Sequence, residues 1–395
     1  MKVYLDHSAT TATDSAVLEK MLPYFSNIYG NASSQHTEGQ NSAKAVELAR
    51  IQVAKALNAS PNEIYFTSGG TESDNTAIKG VAESRLDKGN HIITTAIEHH
   101  AIIESCKDLE KRGYRVTYLE PDSDGIVSCE KVKEAICDDT ILVSVMTANS
   151  EIGSIQPIKE IGAICREKKI LFHTDAVQAI GSIKVDVKEL NVDLLSLSGH
   201  KFYGPKGVGA LYIRNGVRIK RFMAGGEQER KMRAGTYNTP AIVGLGEAIT
   251  LANDRVDSYN TKLADLRDHM AKRIKEEIPF CSINGTMDRA KRLPGNLNVT
   301  FDYIEGESIL LMLDLAGICA SSGSACSSGS LEPSHVLLAI GVPAERAHGS
   351  IRFTLGKENT IEQIDYSVEK LKETVEKLRA ISPLFKTIEG DKHHV

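Results

Sequence analysis

Between about residues 60 and 215 the chain alternates short β-branched and apolar runs with longer amphipathic stretches. The short runs are Glu63-Ile-Tyr-Phe66, His91-Ile-Ile-Thr94, Tyr114-Arg-Val-Thr-Tyr-Leu119, Ile141-Leu-Val-Ser-Val-Met146, Ile170-Leu-Phe-His173, Val192 to Leu197 and Gly207 to Ile213. Strand-sized runs spaced by helix-length segments predict an α/β fold, a mostly parallel sheet covered by helices on both faces. From about 241 to 278 the pattern becomes one long helical period, with Leu251, Val256, Leu263, Leu266 and Met270 on one stripe and charges between them. That predicts a helix leading out of the large domain. Beyond it, Gly295 to Phe301, Ile318 to Ala320 and Ser350 to Thr354 read as strands and Glu362 to Arg379 as a terminal helix, so a smaller α+β domain follows. The expected division is a large domain at 14–258 and a small one built from 1–13 and 259–395.

The 47 Lys and Arg nearly balance 52 Asp and Glu, and like charges do not cluster, which speaks against a nucleic-acid footprint. No apolar run approaches the roughly 18 residues of a membrane helix. The start, Met1-Lys-Val-Tyr-Leu-Asp6, lacks a secretory pattern, so the expected compartment is the cytoplasm. Seven cysteines without a Cys-x-x-Cys pair predict that most are small core thiols, and no metal site is read from them. One thiol stands apart. Cys326 lies in a loop of small residues, Ser321 to Ser330, which has little to pack and is expected to be mobile. Cys319 is strand-like and Cys165 helical, so exposure favours Cys326 as the reactive thiol.

The sharpest chemical feature is Ser198-Gly-His-Lys201 at the carboxyl end of an apolar strand, where open α/β sheets bind ligands. Lys201 alone could be an ordinary loop lysine. Asp175, in His173-Thr-Asp-Ala-Val-Gln178, ends another apolar strand and meets the same sheet edge. Such an acid is either a surface ion-pair partner or the group that keeps a pyridine nitrogen protonated. Ser68-Gly-Gly-Thr71 opens a helix after a strand, offering free N–H groups and a hydroxyl to a phosphate, although Thr71 also fits a plain cap. His99, after the next strand, could be structural or could stack on an aromatic cofactor and move protons. Together these residues supply a phosphate cup, a ring cover, a pyridine partner and a Schiff-base lysine.

With these motifs the chain resembles the cysteine desulfurases of the NifS/IscS type, fold-type I enzymes that use pyridoxal 5'-phosphate. The likeness runs nearly end to end, through Tyr4-Leu-Asp-His-Ser-Ala-Thr-Thr11, Ser68 to Ser73, Glu98-His99, Asn149-Ser-Glu-Ile-Gly153, His173 to Gln178, Ser198 to Lys201, Met232-Arg-Ala-Gly-Thr236, Ser321 to Cys326 and Ser350-Ile-Arg352. The resemblance implies a seven-stranded sheet and conversion of L-cysteine to L-alanine, with sulfur passing to a Cys326 persulfide. Lys201 would hold the cofactor and act as base. Asp175 would pair with the pyridine nitrogen, His99 would cover the ring, Gln178 and position 150, here Ser150, would approach the phenolic oxygen, and Asn149 would also touch the cofactor. Gly70, Thr71, Ser198 and His200 would hold the phosphate, joined by Thr236 from a second subunit, which implies a homodimer with shared sites. Arg352, assisted by Asn149, would bind the substrate carboxylate. The loop form implies delivery of sulfur to an acceptor such as an iron-sulfur cluster scaffold protein, docking at the Cys326 loop and the C-terminal tail.

Three positions depart from the family pattern. Ser150 stands where a second Asn is usual, which puts its contact to the phenolic oxygen in question. Ala32 replaces a usual Pro, and His7-Ser8 stands where Asn-Ala is common; both are expected near the dimer or entrance surface. The competing activities are a selenocysteine lyase, in which Cys326 is dispensable, and a catalytically silent docking protein for sulfur transfer. An aminotransferase would leave Cys326 without a purpose.

Overall fold

The computed structural model describes residues 1–322, 332–383 and 385. The segment that carries Cys326, and nearly all of the tail after 383, lie outside the described residues. In chain order the strands are β1 (Val3–Tyr4), β2 (Ile64–Thr67), β3 (His91–Thr95), β4 (Arg115–Leu119), β5 (Thr140–Ser144), β6 (Leu171–Asp175), β7 (Leu194–Ser198), β8 (Gly209–Ile213), β9 (Cys281–Ile283), β10 (Asn296–Phe301), β11 (Ile318–Cys319) and β12 (Ser350–Thr354).

Seven of them form one sheet in the order β2-β8-β7-β6-β5-β3-β4. Strands β3 to β7 pair in parallel, and β8 runs antiparallel to both β7 and β2. The α/β fold and its mostly parallel seven-stranded sheet are therefore as expected. Strands β3, β5, β6, β7 and β8 are buried at every position, because helices cover both faces. Side chains alternate between the two layers. Ile93, Val143, Phe172 and Leu195 face one core, and Ile92, Leu142, Leu171 and Leu194 face the other.

The long helix Thr239–Glu277 links two cores. Ile242, Leu245 and Ile249 pack under the large sheet, whereas Leu263, Met270 and Ile274 join Leu297, Val299, Phe301, Ile351 and Phe353. The second core lies on the antiparallel sheet β12-β10-β9, backed by the helix Ile361–Ile381. Its strand β9 was not expected, being three half-buried residues without an apolar pattern. The N-terminal β1 pairs in parallel with β11.

One ion pair is sealed in the interior. Arg50 is 2% exposed and donates to both carboxylate oxygens of Glu229, at 2.8 and 2.7 Å, and to the Ile64 carbonyl at 2.8 Å. Glu229 also accepts the Phe66 N–H at 2.8 Å, so the pair pins the segment before the long helix to β2. Among the described residues no helix is long and apolar enough to cross a membrane.

Candidate active site

Strands β2, β3, β5, β6 and β7 all point their carboxyl ends at one edge of the sheet, and the chain leaving each contributes a polar group. After β7, a single tight turn over Gly199–Lys201 presents Lys201, whose Nζ donates to the Ser8 carbonyl and, at 3.0 Å, to the Ala9 carbonyl. At the end of β6, Asp175 is 6% exposed and accepts the Val177 N–H at 2.8 Å. Burial pushes its carboxyl up to about 6, against the pull of that N–H and of the Lys201 charge. Lysine and acid thus share one low-dielectric edge.

After β3, His99 caps the helix His100–Glu110, its Nδ1 accepting the Ala101 N–H at 3.1 Å, so the ring hydrogen sits on Nε2. Burial, then the charges of Lys201, His100 and His335, hold its pKa down to about 4. His200 is likewise lowered to about 4 by burial and the neighbouring lysines, with Nδ1 3.1 Å from the Thr10 hydroxyl. Both imidazoles are therefore neutral near pH 7, and either can approach a ring or a phosphate without adding charge.

After β2, the helix Gly70–Ser84 begins at Gly69, whose φ of +153° suits glycine. A Cβ on Gly70 would stand 2.7 Å from Val177 Cγ2, and one on Gly69 would stand 3.7 Å from Ser198 Oγ. This close approach brings a helix N-terminus, Ser198 and the Asp175 turn together, with no room for a Cβ at Gly70. The first-turn N–H groups of such a helix have no intrahelical acceptors, and Thr71 is exposed beside them. The combination suits a phosphate.

A family model described as aminotransferase class-V matches residues 3–366. The chain belongs to this family. It is 58% identical over 384 residues to a Clostridium botulinum protein named cysteine desulfurase IscS, covering 97% of each chain. It is 57% identical over 382 residues to the protein of that name from Methanosarcina thermophila, covering 97% of this chain and 94% of that one. Among solved structures, a NifS-like protein superposes with a TM-score of 0.90 at 40% identity, over 96% of this chain and 100% of the other. SspA in complex with cysteine gives 0.79 at 38% identity, over 90% and 99%. The resemblance read from the motifs, to NifS/IscS-type enzymes, is borne out.

On this aminotransferase class-V scaffold the remaining residues fall into place unequally. Gln178 donates to the Ser8 carbonyl at 3.0 Å, one atom shared with Lys201. Asn149 is 1% exposed and committed to its own turn, donating to the Ile97 carbonyl at 2.9 Å and accepting the N–H groups of Glu151 and Ile152 at 2.8 and 3.0 Å. Ser150 contributes its carbonyl, which accepts from Asn296 at 3.1 Å and from Arg352 Nη1 at 3.4 Å. Arg352, on β12, pairs with Asp6 at 3.0 Å, and among the described residues its buried Nε has no partner. Its backbone exchanges two hydrogen bonds with Ser321. Thr236 is exposed and makes no hydrogen bond to these groups within one chain.

Two expectations need correction. His7 and Ser8 do not lie at the surface: the His7 side chain is 11% exposed and bonded to the Thr354 carbonyl at 2.9 Å, and Ser8 is buried against Lys201 and Gln178. A local pattern cannot show that a segment 193 residues away in sequence closes over the lysine. The expectation that most cysteines are core thiols holds, among the described residues, at Cys106 and Cys165 alone: Cys129, Cys281 and Cys319 are half-buried and Cys137 is exposed.

Sequence reasoning missed the acids beneath the site. Asp74 is fully buried, with Oδ1 unpartnered 3.8 Å from His173 Nε2, and burial next to Asp175 raises its pKa strongly. Glu98 is 1% exposed, and burial raises it to about 8. Glu151 is raised to about 7 by burial, with Oε2 accepting from Ser334 at 2.8 Å and Oε1 unpartnered. No local sequence signal marks them, because a carboxylate in a sequence reads as exposed.

Proposed function

We propose that this chain is a cysteine desulfurase that takes sulfur from L-cysteine, leaves L-alanine, and holds the sulfur as a Cys326 persulfide for an acceptor protein such as an iron-sulfur cluster scaffold. The observation that carries the reading is the shared edge of Lys201, Asp175 and His99, with the partly unpartnered guanidinium of Arg352 on the facing strand β12. The names of the relatives support it.

The residues fit pyridoxal 5'-phosphate. Gly70, Thr71, Ser198 and His200 would hold its phosphate, Asp175 its pyridine nitrogen, His99 its ring face, and Lys201 its aldehyde carbon. When bound, the cofactor supplies an electron sink for the charge released at the substrate Cα. Every other task belongs to the chain. Asp175, drawn toward its charged form by Lys201, keeps the nitrogen protonated. The Lys201 amine is the base for the Cα proton. Neutral His99 covers the ring and holds a proton on Nε2. Arg352, steadied by Asp6 and the Ser150 carbonyl, clamps the substrate carboxylate. The Cys326 thiolate takes the substrate sulfur as the Cβ–S bond breaks, and alanine leaves after Cβ and Cα regain protons. Asn149 and Ser150 shape the turn that faces the phenolic oxygen and the carboxylate, and Gln178 borders the same oxygen.

We assign the two cores to a large unit at 14–258 and a small one at 1–13 and 259–395. We further propose a homodimer in which Thr236 reaches the phosphate of a second copy. Its exposure supports this, as does the apolar surface of Leu22, Phe25 and Tyr29. The proposed compartment is the reducing cytoplasm, which suits six free cysteines among the described residues. The test is alanine and sulfide release from L-cysteine by cofactor-loaded protein with a thiol reductant. Equal yields of both support the reading. A yellow protein that releases neither overturns it.

A further inference from the structure

At the opposite, amino-terminal edge of the same strands, a second group of chemistry-bearing side chains converges. His91 opens β3, Arg115 opens β4, and Cys137 and Asp139 lie in the turn that enters β5. Cys137 Sγ is 3.1 Å from His91 Nδ1 and 3.2 Å from Asp139 Oδ1, and one donor atom from each of the three residues lies within 4.8 Å of the others. A strand rises about 3.3 Å per residue, so the length of β3 separates this group from His99 by more than ~13 Å.

The arrangement is built rather than incidental. His91 is 1% exposed, and its Nε2 lies 2.9 Å from the Thr117 hydroxyl, which fixes the ring with Nδ1 turned to the sulfur. The Thr140 hydroxyl accepts the Cys137 N–H at 2.9 Å and sits 2.8 Å from His91 Nδ1, locking the turn against the ring. Asp139 faces Arg115 Nη2 through both oxygens, at 2.8 and 2.9 Å, and the same Nη2 is 3.5 Å from the sulfur. In a tetrahedral zinc site with bonds of about 2.0–2.3 Å, neighbouring ligand atoms stand roughly 3.5 Å apart. The two spacings to sulfur, 3.1 and 3.2 Å, need to open by only a few tenths of an ångström, and the imidazole and carboxylate ligand atoms lie within 4.8 Å of each other.

We propose that His91 Nδ1, Cys137 Sγ and one oxygen of Asp139 form a site for a soft divalent cation of the zinc type, with the fourth position open to water. A thiolate and a carboxylate balance the charge of the ion. Arg115 keeps the other carboxylate oxygen and orients it from outside, as carboxylate partners do around metal ligands. The neutral imidazole is oriented by Thr117 in the same way. Imidazole and thiolate favour zinc over calcium or magnesium, which take oxygen ligands. Binding would also cover a thiol that is exposed in a protein whose proposed product is reactive sulfur.

The test uses cofactor-loaded full-length protein carrying Cys326→Ala, so that the loop thiol cannot supply a ligand, and Co2+ as the probe. One equivalent of Co2+ per chain with a thiolate-to-cobalt charge-transfer band is expected, displaced by Zn2+. Cys137→Ser abolishes the band. Asp139→Asn, at a half-buried position where the isosteric amide keeps the shape of the side chain, weakens binding at least about tenfold. Zn2+ should also slow alkylation of Cys137, read by mass spectrometry of its peptide, while leaving Cys129 unaffected. Absence of the band in the parent protein, its survival in Cys137→Ser, or equal affinity in Asp139→Asn overturns the site.

Discussion

Arg352 and Asp6 stand 346 residues apart and meet as an ion pair of 3.0 Å, which ties β12 to the segment lying over Lys201. The guanidinium has a second hold at the Ser150 carbonyl, and its buried Nε has no partner among the described residues. A cation held by a carboxylate on one side and open on another is prepared for an incoming carboxylate. A hydrogen bond to a charged group is worth about 1.5–3 kcal/mol, or roughly tenfold to a hundredfold in affinity. Arg352→Ala should therefore raise KM for L-cysteine by at least about tenfold. Asp6→Asn, which only loosens the clamp, should raise it less. Steady-state alanine production checks both, and an unchanged KM in Arg352→Ala removes it from substrate binding.

Lys201 is the residue whose loss should be most complete. General-base catalysis contributes about 10²–10⁴ in rate, and the same lysine is the proposed covalent anchor. Lys201→Ala should lose at least about a thousandfold in turnover and release the cofactor on gel filtration. A coloured, active Lys201→Ala protein would mean that another amine serves.

Glu98 makes a pH prediction. Burial raises its folded pKa to about 8, so between its ordinary value and about 8 the folded state binds a proton that the unfolded chain has released. Stability contributed by this proton is complete at the acid end and is lost as pH rises through that window. Glu151, raised to about 7, and Asp175, raised to about 6, act in the same sense. The lowered histidines, His99 and His200, act in the opposite sense, but only below their ordinary value near 6.5. The urea midpoint should therefore fall from about pH 6 to about pH 9, and Glu98→Gln should flatten the fall. Parallel curves for the two proteins count against a neutral Glu98.

The strands of the large sheet and the long connecting helix were readable because their periods are set by burial on both faces or on one stripe. Lys201, Asp175, His99 and Gly70 were readable because each sits just after an apolar strand, so local order along the chain coincides with position at the sheet edge. Ser8 and Asp6 were not. They reach Lys201 and Arg352 through closure of the chain over hundreds of residues, which leaves no periodic trace. Asp74 and Glu98 were hidden for another reason. A carboxylate in a sequence reads as exposed, and only the packing around it shows that it is buried and neutral.

The sealed pair of Arg50 and Glu229 should dominate stability in the large unit. Removing one member leaves the other charge buried, which typically costs about 3–5 kcal/mol, whereas replacing both with apolar residues can be nearly neutral. Arg50→Ala should lower unfolding free energy by about that amount. The double replacement Arg50→Met with Glu229→Leu should recover part of it. Chemical denaturation of both single variants and the double decides, and a double loss equal to the sum of the two single losses would show that the pair is not coupled.

Gly70 tests the phosphate cradle without depending on turnover. Gly70 opens its helix with an ordinary negative φ, so Gly70→Ala should not destabilise the fold through its backbone. Its Cβ, however, would stand 2.7 Å from Val177 Cγ2, and Val177 sits between Asp175 and Gln178. A branched side chain held on a short turn cannot retreat without carrying that turn along, so the new methyl group narrows the space over the first-turn N–H groups. Gly70→Ala should weaken pyridoxal 5'-phosphate binding by about tenfold or more, corresponding to ~1.4 kcal/mol. Thr71→Ala removes one hydroxyl and should cost less, about 0.5–1.5 kcal/mol. Absorbance titration of the apoprotein measures both. Native affinity in Gly70→Ala would place the phosphate away from this helix.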